Sequence, residues 1–514
     1  MFRKFKGSKY NRLITTGVLV LLQFVWIGVL NLVLASHFKI INVLTKFLAA
    51  IYVLYILQKD DNPSMKLGWI ILILVIPIFG VPMYFLYGDR KPTRKMYERV
   101  KSAQLMTPQI VSQPSAVIDS LAAIDERGTG TCQYIYRNGG FPVYRDTAAA
   151  YYPSGETMFH DMYLAIKSAE MYVFLEYFII EHGKMWDSIL KLLVEKAKEG
   201  VAVRIIYDDF GVITKKLPKD YDKQLEALHP NIKCLRFNPV RPLAIMSMNN
   251  RDHRKMLIVD GEIAFTGGIN LADEYINEVN LYGHWKDTGV RLRGEAVNSF
   301  VLTFAEMWNA FRADKLNAED YIRPVDERDE QLSDGFIQPF SDCPLDEEYL
   351  ARNVIIDMLG RAREYVWITT PYLIIDSELR AALVIAAKRG IDVRIVTPGT
   401  PDKKITFRLT RANFRPLLKA GVKIYQYTPG FIHSKSVVVD GVSALVGTVN
   451  MDYRSMYLHF ECGVYMYGSS CIEDLSQDFH SLFRQSQQVT QSDLKQGLFG
   501  SAFDSLLRAF ETLF

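Results

Sequence analysis

Cysteine is scarce and scattered in this sequence. Five cysteines occur among 514 residues, and no two of them form a Cys-x-x-Cys pair. An odd number of unclustered cysteines argues against both a disulfide framework and a structural zinc site. We therefore expect all five to be ordinary small core residues, namely Cys132, Cys234, Cys343, Cys462 and Cys471.

A strong net charge is also missing. Lys and Arg total 60 against 57 Asp and Glu, which leaves a formal charge of +3. This value is too close to neutral for nucleic-acid binding driven by bulk electrostatics, so we expect no nucleic-acid partner. The length allows two or three domains with sizeable cores. Nearly all of the unusual apolarity lies before residue 90.

Three apolar segments occupy this N-terminal region. Residues 13–35 carry no charge and are long enough to cross ~30 Å of hydrocarbon. A cleaved signal peptide would have a shorter apolar core of about 7–15 residues. Residues 40–57 form a weaker segment interrupted by Lys46, and residues 67–88 form a strong one. The sequence predicts a membrane anchor of transmembrane helices over residues 1–100.

The orientation of this anchor stays open. Basic residues crowd both the N-terminus and residues 90–101. The positive-inside rule favours the same side for both clusters, whereas three crossings would separate them. Either one segment is re-entrant or interfacial, or one basic cluster is overridden.

The C-terminal tail, residues 486–514, has an amphipathic pattern. Phe499, Phe503, Leu506 and Phe510 recur at helical spacing. Two interpretations are open, a terminal helix docked on the globular domain or an interfacial anchor.

The remaining sequence contains an internal repeat. Residues 101–322 and 346–485 alternate helix-like and strand-like segments in the same order, and the charged residues 323–345 separate them as a linker. For example, "LLVEKAKEGVAVRIIYDD" in the first half corresponds to "LVIAAKRGIDVRIVTPGT" in the second. We predict an α/β protein with two pseudo-symmetric halves that share one cleft.

Each half contains the same short motif, "HRKMLIVD" from His253 and "HSKSVVVD" from His433. Residues i and i+2 of a strand point to one face, so each His projects together with its Lys. The Asp lies an odd number of residues from the His, which favours a structural role for it. An Asn ends the next strand in each half. The repeated set is His253, Lys255, Asp260 and Asn270, then His433, Lys435, Asp440 and Asn450.

Two histidines and two lysines suit an anionic phosphodiester. The lysines can offset the charge that develops on phosphate. One imidazole can attack phosphorus while the other protonates the leaving alkoxide. The site has few carboxylates and no cysteine ligands, so nothing demands a metal, and we expect no cofactor.

The motif resembles H-x-K-x4-D-x6-G-[ST]-x-N of the phospholipase D superfamily. The second copy fits fully with Thr448, whereas Gly268 replaces the hydroxyl residue in the first. The resemblance implies that Glu461 and Asp287 orient the histidines and that His253 is the nucleophile. It also implies the catalytic set His253, Lys255, Asp260, His433, Lys435 and Asp440, with Asn270, Asn450 and Thr448 at the phosphate.

A narrower resemblance, carried by "LVGTVNMDYRS" and the N-terminal apolar module, is to bacterial cardiolipin synthases of the phospholipase D type. It implies phosphatidyl transfer between two phosphatidylglycerol molecules, with release of glycerol. It further implies a multi-pass protein of the bacterial cell membrane. The alternatives are a hydrolase of the same fold, either a lipase or a nuclease, and a non-catalytic scaffold.

Three minor expectations complete the picture. Residues 242–248, "PLAIMSM", either admit acyl chains or form an ordinary strand. Glu176 interrupts an apolar strand and is expected near the cleft. The histidines outside the motifs, His459 among them, are expected to be structural or exposed.

Overall fold

The computed structural model describes most of the chain after residue 38. The apolar segment 13–35 lies outside the described residues except for positions 25 and 29, and residues 242–248 lie outside them entirely. The described residues are 25, 29, 39–60, 62–88, 94–106, 111–215, 217–240, 249–323, 332–346, 348–495 and 497–513.

Among the residues from 39 onward that the structure describes, six helices precede the first sheet. They are α1 (Lys39–Gln58), α2 (Pro63–Val75), α3 (Pro77–Tyr87), α4 (Arg94–Met106), α5 (Ser115–Ile124) and α6 (Glu126–Gly139).

The predicted segment 67–88 is not one continuous helix. It breaks at Ile76, whose backbone leaves the helical region with φ −135° and ψ 75°. Pro77 explains the break, because it lacks an N–H and disfavours helical geometry in the residue before it. Within the described ranges, none of the helices combines the length and the apolarity that a membrane crossing requires.

The first half contains a seven-stranded mixed sheet of order β1-β9-β7-β6-β2-β3-β4. Its strands are β1 (Thr147–Tyr152), β2 (Tyr172–Tyr177), β3 (Ala202–Asp208), β4 (Ile232–Phe237), β6 (Lys255–Val259), β7 (Ile263–Gly267) and β9 (Gly289–Gly294). Two short strands lie outside it, β5 (Arg251–Asp252) and β8 (His284–Lys286). Its helices are α7 (Gly155–Ser168), α8 (Lys184–Lys198), α9 (Tyr221–Glu226) and α10 (Val297–Phe311).

The second half repeats this arrangement in the order β10-β19-β17-β16-β11-β13-β14-β20. Its sheet contains β10 (Phe336–Asp342), β11 (Tyr365–Thr369), β13 (Asp392–Pro398), β14 (Lys423–Tyr427), β16 (Ser436–Val439), β17 (Ser443–Gly447), β19 (His459–Tyr467) and β20 (Ser486–Val489). Three short strands accompany it, β12 (Leu373–Ile374), β15 (Gly430–Ile432) and β18 (Met451–Asp452). Its helices are α11 (Leu350–Arg361), α12 (Ser377–Lys388), α13 (Lys404–Ala420), α14 (Tyr453–Tyr457), α15 (Cys471–Arg484) and α16 (Leu498–Ala509). The six strands from β19 to β14 correspond in order to those from β9 to β4, so the predicted α/β repeat is present.

The two halves exchange short strands. β5, which precedes the first motif, pairs in parallel with the start of β19 in the second half. β15, which precedes the second motif, pairs in parallel with β8 of the first half. The sheets also share one hydrophobic core, to which Met256 and Ile258 contribute from one half and Val438 and Val464 from the other. Each motif therefore begins at the boundary between the halves.

Two segments belong to a different part of the structure from the one that the predicted domain boundaries gave them. Residues Phe336–Asp342, assigned to the linker, form β10 and pair with β19 along its length. Helix α6, assigned to the first half, contributes Cys132 and Ile135 to the core of the second half. β10 takes the place in its sheet that β1 has in the first half, because each pairs antiparallel with the corresponding strand, β19 or β9.

The C-terminal tail is docked on the protein. Helix α16 packs on α13 and on α2. A Cβ added at Gly68 of α2 would lie 2.6 Å from the carbonyl oxygen of Ala509, which shows how closely these two helices approach. Phe499, Phe503 and Leu506 remain exposed on the outer side of α16.

Candidate active site

The exchanged strands bring both motif histidines to the boundary between the halves. The backbone N–H of His253 donates to the carbonyl of Phe460 at 2.9 Å, and that of His433 donates to the carbonyl of Lys286 at 2.7 Å. Both imidazoles are buried. Each histidine is thus anchored to the backbone of the half that does not contain it.

Each predicted orienting carboxylate also lies in the half opposite to the histidine that it contacts. Glu461 accepts a hydrogen bond from Nδ1 of His253 at 2.9 Å, and Asp287 accepts one from Nδ1 of His433 at 2.7 Å. A carboxylate at Nδ1 holds the proton there, so the lone pair of each imidazole lies on Nε2. Both rings therefore have a nucleophilic or basic nitrogen on the side away from the carboxylate.

The lysines of the motifs are buried beside these rings. Lys255 Nζ donates to the carbonyl oxygen of His253 at 2.5 Å, and Lys435 donates to that of His433. Burial lowers the pKa of Lys255 to about 8 and that of Lys435 to about 7. These amines are poised to become fully charged when an anion enters.

The histidine pKa values show that the two motifs share one electrostatic environment. Burial lowers the pKa of His253 well below its ordinary value, and Lys255, Lys435 and His433 lower it further. Burial also lowers the pKa of His433 to about 4, with Lys435 acting in the same direction and Asp287 opposing it. Each imidazole is neutral at neutral pH and is affected by the lysine of the opposite half.

Gly268 and Thr448 occupy equivalent positions but differ for a steric reason. The hydroxyl of Thr448 donates to Oε2 of Glu461. In the first half, a Cβ on Gly268 would lie 2.0 Å from Oδ1 of Asp287. The departure from the motif is therefore matched to the position of Asp287, whose Oδ1 accepts the N–H of Thr288 at 2.9 Å instead.

Asp260 and Asp440 do not join this group. Each lies at the far end of its motif strand with φ of 52° and 54°. Asp260 accepts the backbone N–H groups of residues 170–172, and Asp440 accepts those of residues 363–365. These contacts give both carboxylates a structural role, and their membership of the catalytic set stays a prediction. The odd spacing from the histidine had favoured this structural role.

The two asparagines differ in their surroundings. Asn270 accepts the N–H of Ile179 at 3.0 Å and donates to the hydroxyl of Tyr275 at 2.7 Å. Asn450 is buried, and its Oδ1 has no partner in the described part of the chain. A buried amide oxygen without a hydrogen-bond donor costs folding free energy, and a ligand that donates to this oxygen would recover that cost.

His459, which had been expected to be structural or exposed, is buried beside His253. Its ring centroid lies 5.4 Å from that of His253, and its Nδ1 lies 3.7 Å from Glu461 Oε1. Neither ring nitrogen has a hydrogen-bond partner among the described residues. Burial lowers the pKa of His459 to about 3, so the ring is neutral. Only the pairing of β5 with the start of β19 reveals its position.

One group in this cleft has ligand atoms close enough to hold a metal ion. His253, His459 and Glu461 place such atoms within 4.8 Å of one another. Two imidazoles and a carboxylate are a donor set that transition metals accept. Lys255 and Lys435 place positive charge beside the same group, which disfavours a cation and favours an anion.

Glu176 contacts Arg254, the neighbour of His253 in the sequence, rather than His253 itself. It is fully buried and accepts a hydrogen bond from Arg254 Nη1 at 3.2 Å. Burial raises the pKa of Glu176, and Asp252 raises it further. The expectation that its charge needs a partner is met by Arg254, the residue after His253.

Comparisons with known proteins find similar sequences and a similar fold. A family model described as "Cardiolipin synthase, PLD-like domain" matches residues 162–308 and 355–483. A second model, described as phospholipase D-nuclease N-terminal, matches residues 47–88. These matches cover both halves and the N-terminal apolar helices.

Individual relatives span most of the chain. An uncharacterized protein of Streptococcus mutans is 43% identical over 445 residues, which are 86% of this chain and 95% of that protein. A cardiolipin synthase of Geobacillus kaustophilus is 33% identical over 447 residues, 86% of this chain and 87% of the relative. The crystal structure of a phosphatidylserine synthase from Haemophilus influenzae superimposes with a TM-score of 0.57 at 13% identity, over 74% of this chain and 97% of that one. The last similarity shows a common fold.

Proposed function

The chain belongs to the phospholipase D-like cardiolipin synthase family, and from this premise we propose that it is a phosphatidyltransferase that makes cardiolipin. Two phosphatidylglycerol molecules are its substrates, and cardiolipin and glycerol are its products. The observation that carries the proposal is the crossed pairing of His253 with Glu461 and of His433 with Asp287. This pairing presents two imidazoles and two lysines to a single phosphodiester.

The first step transfers the phosphatidyl group to the protein. Nε2 of His253 attacks phosphorus, the bond from phosphorus to the glycerol oxygen breaks, and His433 gives the departing alkoxide its proton. Lys255 and Lys435 stabilise the charge on the phosphoryl oxygens. Glu461 stabilises the positive charge that develops on His253 as the bond to phosphorus forms.

The second step reverses these roles. His433 removes a proton from the terminal hydroxyl of a second phosphatidylglycerol, whose oxygen then attacks phosphorus. The bond from phosphorus to His253 breaks, and cardiolipin leaves. The substrate phosphate also raises the low pKa of His433, because a nearby anion favours the imidazolium, so the acid becomes charged when it is needed.

The N-terminal helices hold the enzyme at the bilayer that contains its substrates. Leu74, Val75 and Phe85 of α2 and α3 are exposed apolar side chains, and residues 13–35 add a charge-free segment. We assign this region to a multi-pass anchor in the bacterial cell membrane. Confinement beside the lipids raises the effective concentration of the acceptor alcohol relative to water.

The direct test is to incubate the purified full-length protein with phosphatidylglycerol alone and to resolve the products by mass. Cardiolipin and glycerol are expected. Phosphatidic acid without cardiolipin would indicate a hydrolase instead, and an absence of turnover would indicate a scaffold. Samples quenched with denaturant at neutral to mildly alkaline pH, where the bond from phosphorus to nitrogen survives, should contain phosphatidyl-histidine on His253. A label that persists in His253→Ala would reverse the assignment of the nucleophile.

A further inference from the structure

The two sides of the cleft differ in the residue that lies beside each motif histidine. His459 pairs in register with the residue two positions before His253, and Trp285 pairs in register with the residue two positions before His433. These two positions are therefore equivalent in the repeat. Trp285 packs on Phe431, with 4.8 Å between ring centres, whereas both ring nitrogens of His459 lack a hydrogen-bond partner in the described part of the chain.

A second difference lies on the short helical turn that follows the motif asparagine. Glu274 and Arg454 each lie four residues after that asparagine, Glu274 on a 3-10 turn and Arg454 on α14. Glu274 is buried and forms an ion pair with Lys215 at 2.8 Å. Arg454 is half-buried, and among the residues that the structure describes it has neither an ion pair nor a side-chain hydrogen bond. The second half thus has a cation with free donors where the first has a neutralised carboxylate.

The carboxylates nearest to Arg454 have other partners. Asp452 caps α14 by accepting the backbone N–H of Ser455 at 2.8 Å, and Asp208 accepts a hydrogen bond from Arg251 at 3.4 Å. Burial lowers the pKa of Arg454, with Asp452 opposing this effect and Arg251 adding to it. A guanidinium nevertheless remains charged at neutral pH, and its N–H groups can only donate. An anion is therefore the ligand that suits this position.

Arg454 lies close to the proposed nucleophile. Burial lowers the pKa of His459, Glu461 opposes this effect, and the charge of Arg454 lowers the pKa further, so the guanidinium is near that ring. The ring centre of His459 in turn lies 5.4 Å from that of His253. His459 is thus a neighbour of both residues. The free donors of Arg454 belong to the same cleft as the reacting groups, but they are not part of either motif.

The proposed reaction requires a second phosphate in this cleft. The acceptor phosphatidylglycerol has its own phosphodiester, three carbons from the hydroxyl that attacks phosphorus. While Lys255 and Lys435 stabilise the phosphate under attack, the acceptor phosphate lies nearby as a second negative charge. Like charges at this separation repel each other in a cleft with little water, so the second phosphate needs a cation of its own.

We propose that Arg454 binds the phosphate of the acceptor phosphatidylglycerol, an inference that rests on the proposed function. The planar guanidinium matches two phosphate oxygens at once. The carboxylate of Glu274 at the equivalent position of the first half offers no such donor. The acceptor phosphate is therefore bound on one side of a pseudo-symmetric cleft, and Arg454 determines whether the acceptor is a phospholipid or a simple alcohol.

The test offers the phosphohistidine two competing acceptors. Full-length protein is mixed with vesicles of phosphatidylcholine and phosphatidylglycerol and with a fixed excess of radiolabelled glycerol. Attack by the hydroxyl of phosphatidylglycerol gives cardiolipin, and attack by labelled glycerol gives labelled phosphatidylglycerol. In both reactions the new oxygen–phosphorus bond replaces the bond to His253, and His433 takes the hydroxyl proton. Only the first reaction brings a second phosphate into the cleft.

We expect Arg454→Gln to lower the ratio of cardiolipin to labelled phosphatidylglycerol by ~10–100-fold, the usual effect of losing a hydrogen-bonded charge pair. Arg454→Lys, which keeps the charge but not the planar donors, should give an intermediate ratio. Arg137→Gln, which removes an exposed arginine from α6, is the matched control and should keep the wild-type ratio. The ratio is independent of the folded fraction, because unfolded molecules make neither product.

Two results would overturn the proposal alone. The first is an unchanged ratio in Arg454→Gln, even if both rates fall together, since a loss shared by both acceptors would place Arg454 at the first phosphate or in the fold. The second is a ratio in Arg454→Lys no higher than that in Arg454→Gln, which would exclude a role for the charge. A wild-type protein that labels phosphatidylglycerol but makes no cardiolipin would instead refute the proposed function, and this proposal with it.

Discussion

Gly268 is the residue at which the two halves differ most informatively. The second half has Thr448 at this position, bonded to Glu461, whereas the first has no room for a side chain beside Asp287. A residue that departs from the motif therefore preserves the contact on which His433 depends.

We predict that Gly268→Ser lowers kcat/KM by ~10–100-fold, the usual cost of losing a group that positions a catalytic ligand or side chain. The new Cβ would force Asp287 away from Nδ1 of His433. Steady-state kinetics measure the effect, and Gly360→Ala is the control, because a Cβ there meets nothing within 4 Å. Activity equal to that of the control would show that Asp287 does not position His433.

The lowered pKa values of Lys255 and Lys435 lead to a second prediction at the residue scale. With the pKa of Lys435 at about 7 and that of Lys255 at about 8 in the free cleft, a bound oxyanion should raise both values. Below the free pKa the amine is already charged, so uptake of protons is expected near pH 7–8 and should fade as the pH drops toward about 5.

Calorimetry of tungstate binding in two buffers of different ionisation enthalpy measures this uptake. Lys435→Gln should reduce it, whereas Lys403→Gln, which removes a largely exposed amine, should leave most of it. Release of protons, or no exchange at all, would contradict the lowered pKa values.

At the scale of elements, the short strands β5 and β8 of the first half join it to the second half by strand pairing. Each is only two or three residues long, yet each pairs with a strand of the opposite half. They place the start of each motif next to the carboxylate of the other half. Without this exchange, the two sheets could pack and still leave the histidines unoriented.

Gly430→Ala tests this role. A Cβ on Gly430 of β15 would lie 2.4 Å from both the backbone nitrogen and the carbonyl oxygen of His284. We expect overpacking to cost about 1–3 kcal/mol of stability and kcat to fall more steeply than the folded fraction, because His433 follows β15 directly. Thermal unfolding and kinetics, measured alongside Gly360→Ala, separate the two effects. An unchanged kcat at a lowered Tm would limit β15 to a structural role.

The sequence predicted the long elements and the motif pairs, but not the exchange. Period-two patterning and the repeated order of segments were enough for the α/β halves, and the odd spacing of Asp260 from His253 favoured a structural role for it. Strands of two or three residues have no period to detect, so β5 and β8 could not be found. The position of His459 depends on β5, and β10, the counterpart of β1, lies in a segment that was assigned to the linker. These positions were fixed by tertiary pairing rather than by local pattern.

At the scale of the whole molecule, the pseudo-symmetry explains why a site of this kind needs both halves. Each half supplies a histidine and a lysine, and each supplies the carboxylate that its partner's histidine requires. A shared hydrophobic core holds the sheets together behind the cleft. A cleft built in this way is complete only when both halves are folded and joined.

The most direct test of the shared cleft is to count oxyanions. Titration of the full-length protein with tungstate, a phosphate analogue, should give one bound ion per chain, and either His253→Ala or His433→Ala alone should abolish that binding. Two ions per chain, with each variant losing one, would mean that the motifs are separate sites and would contradict the account.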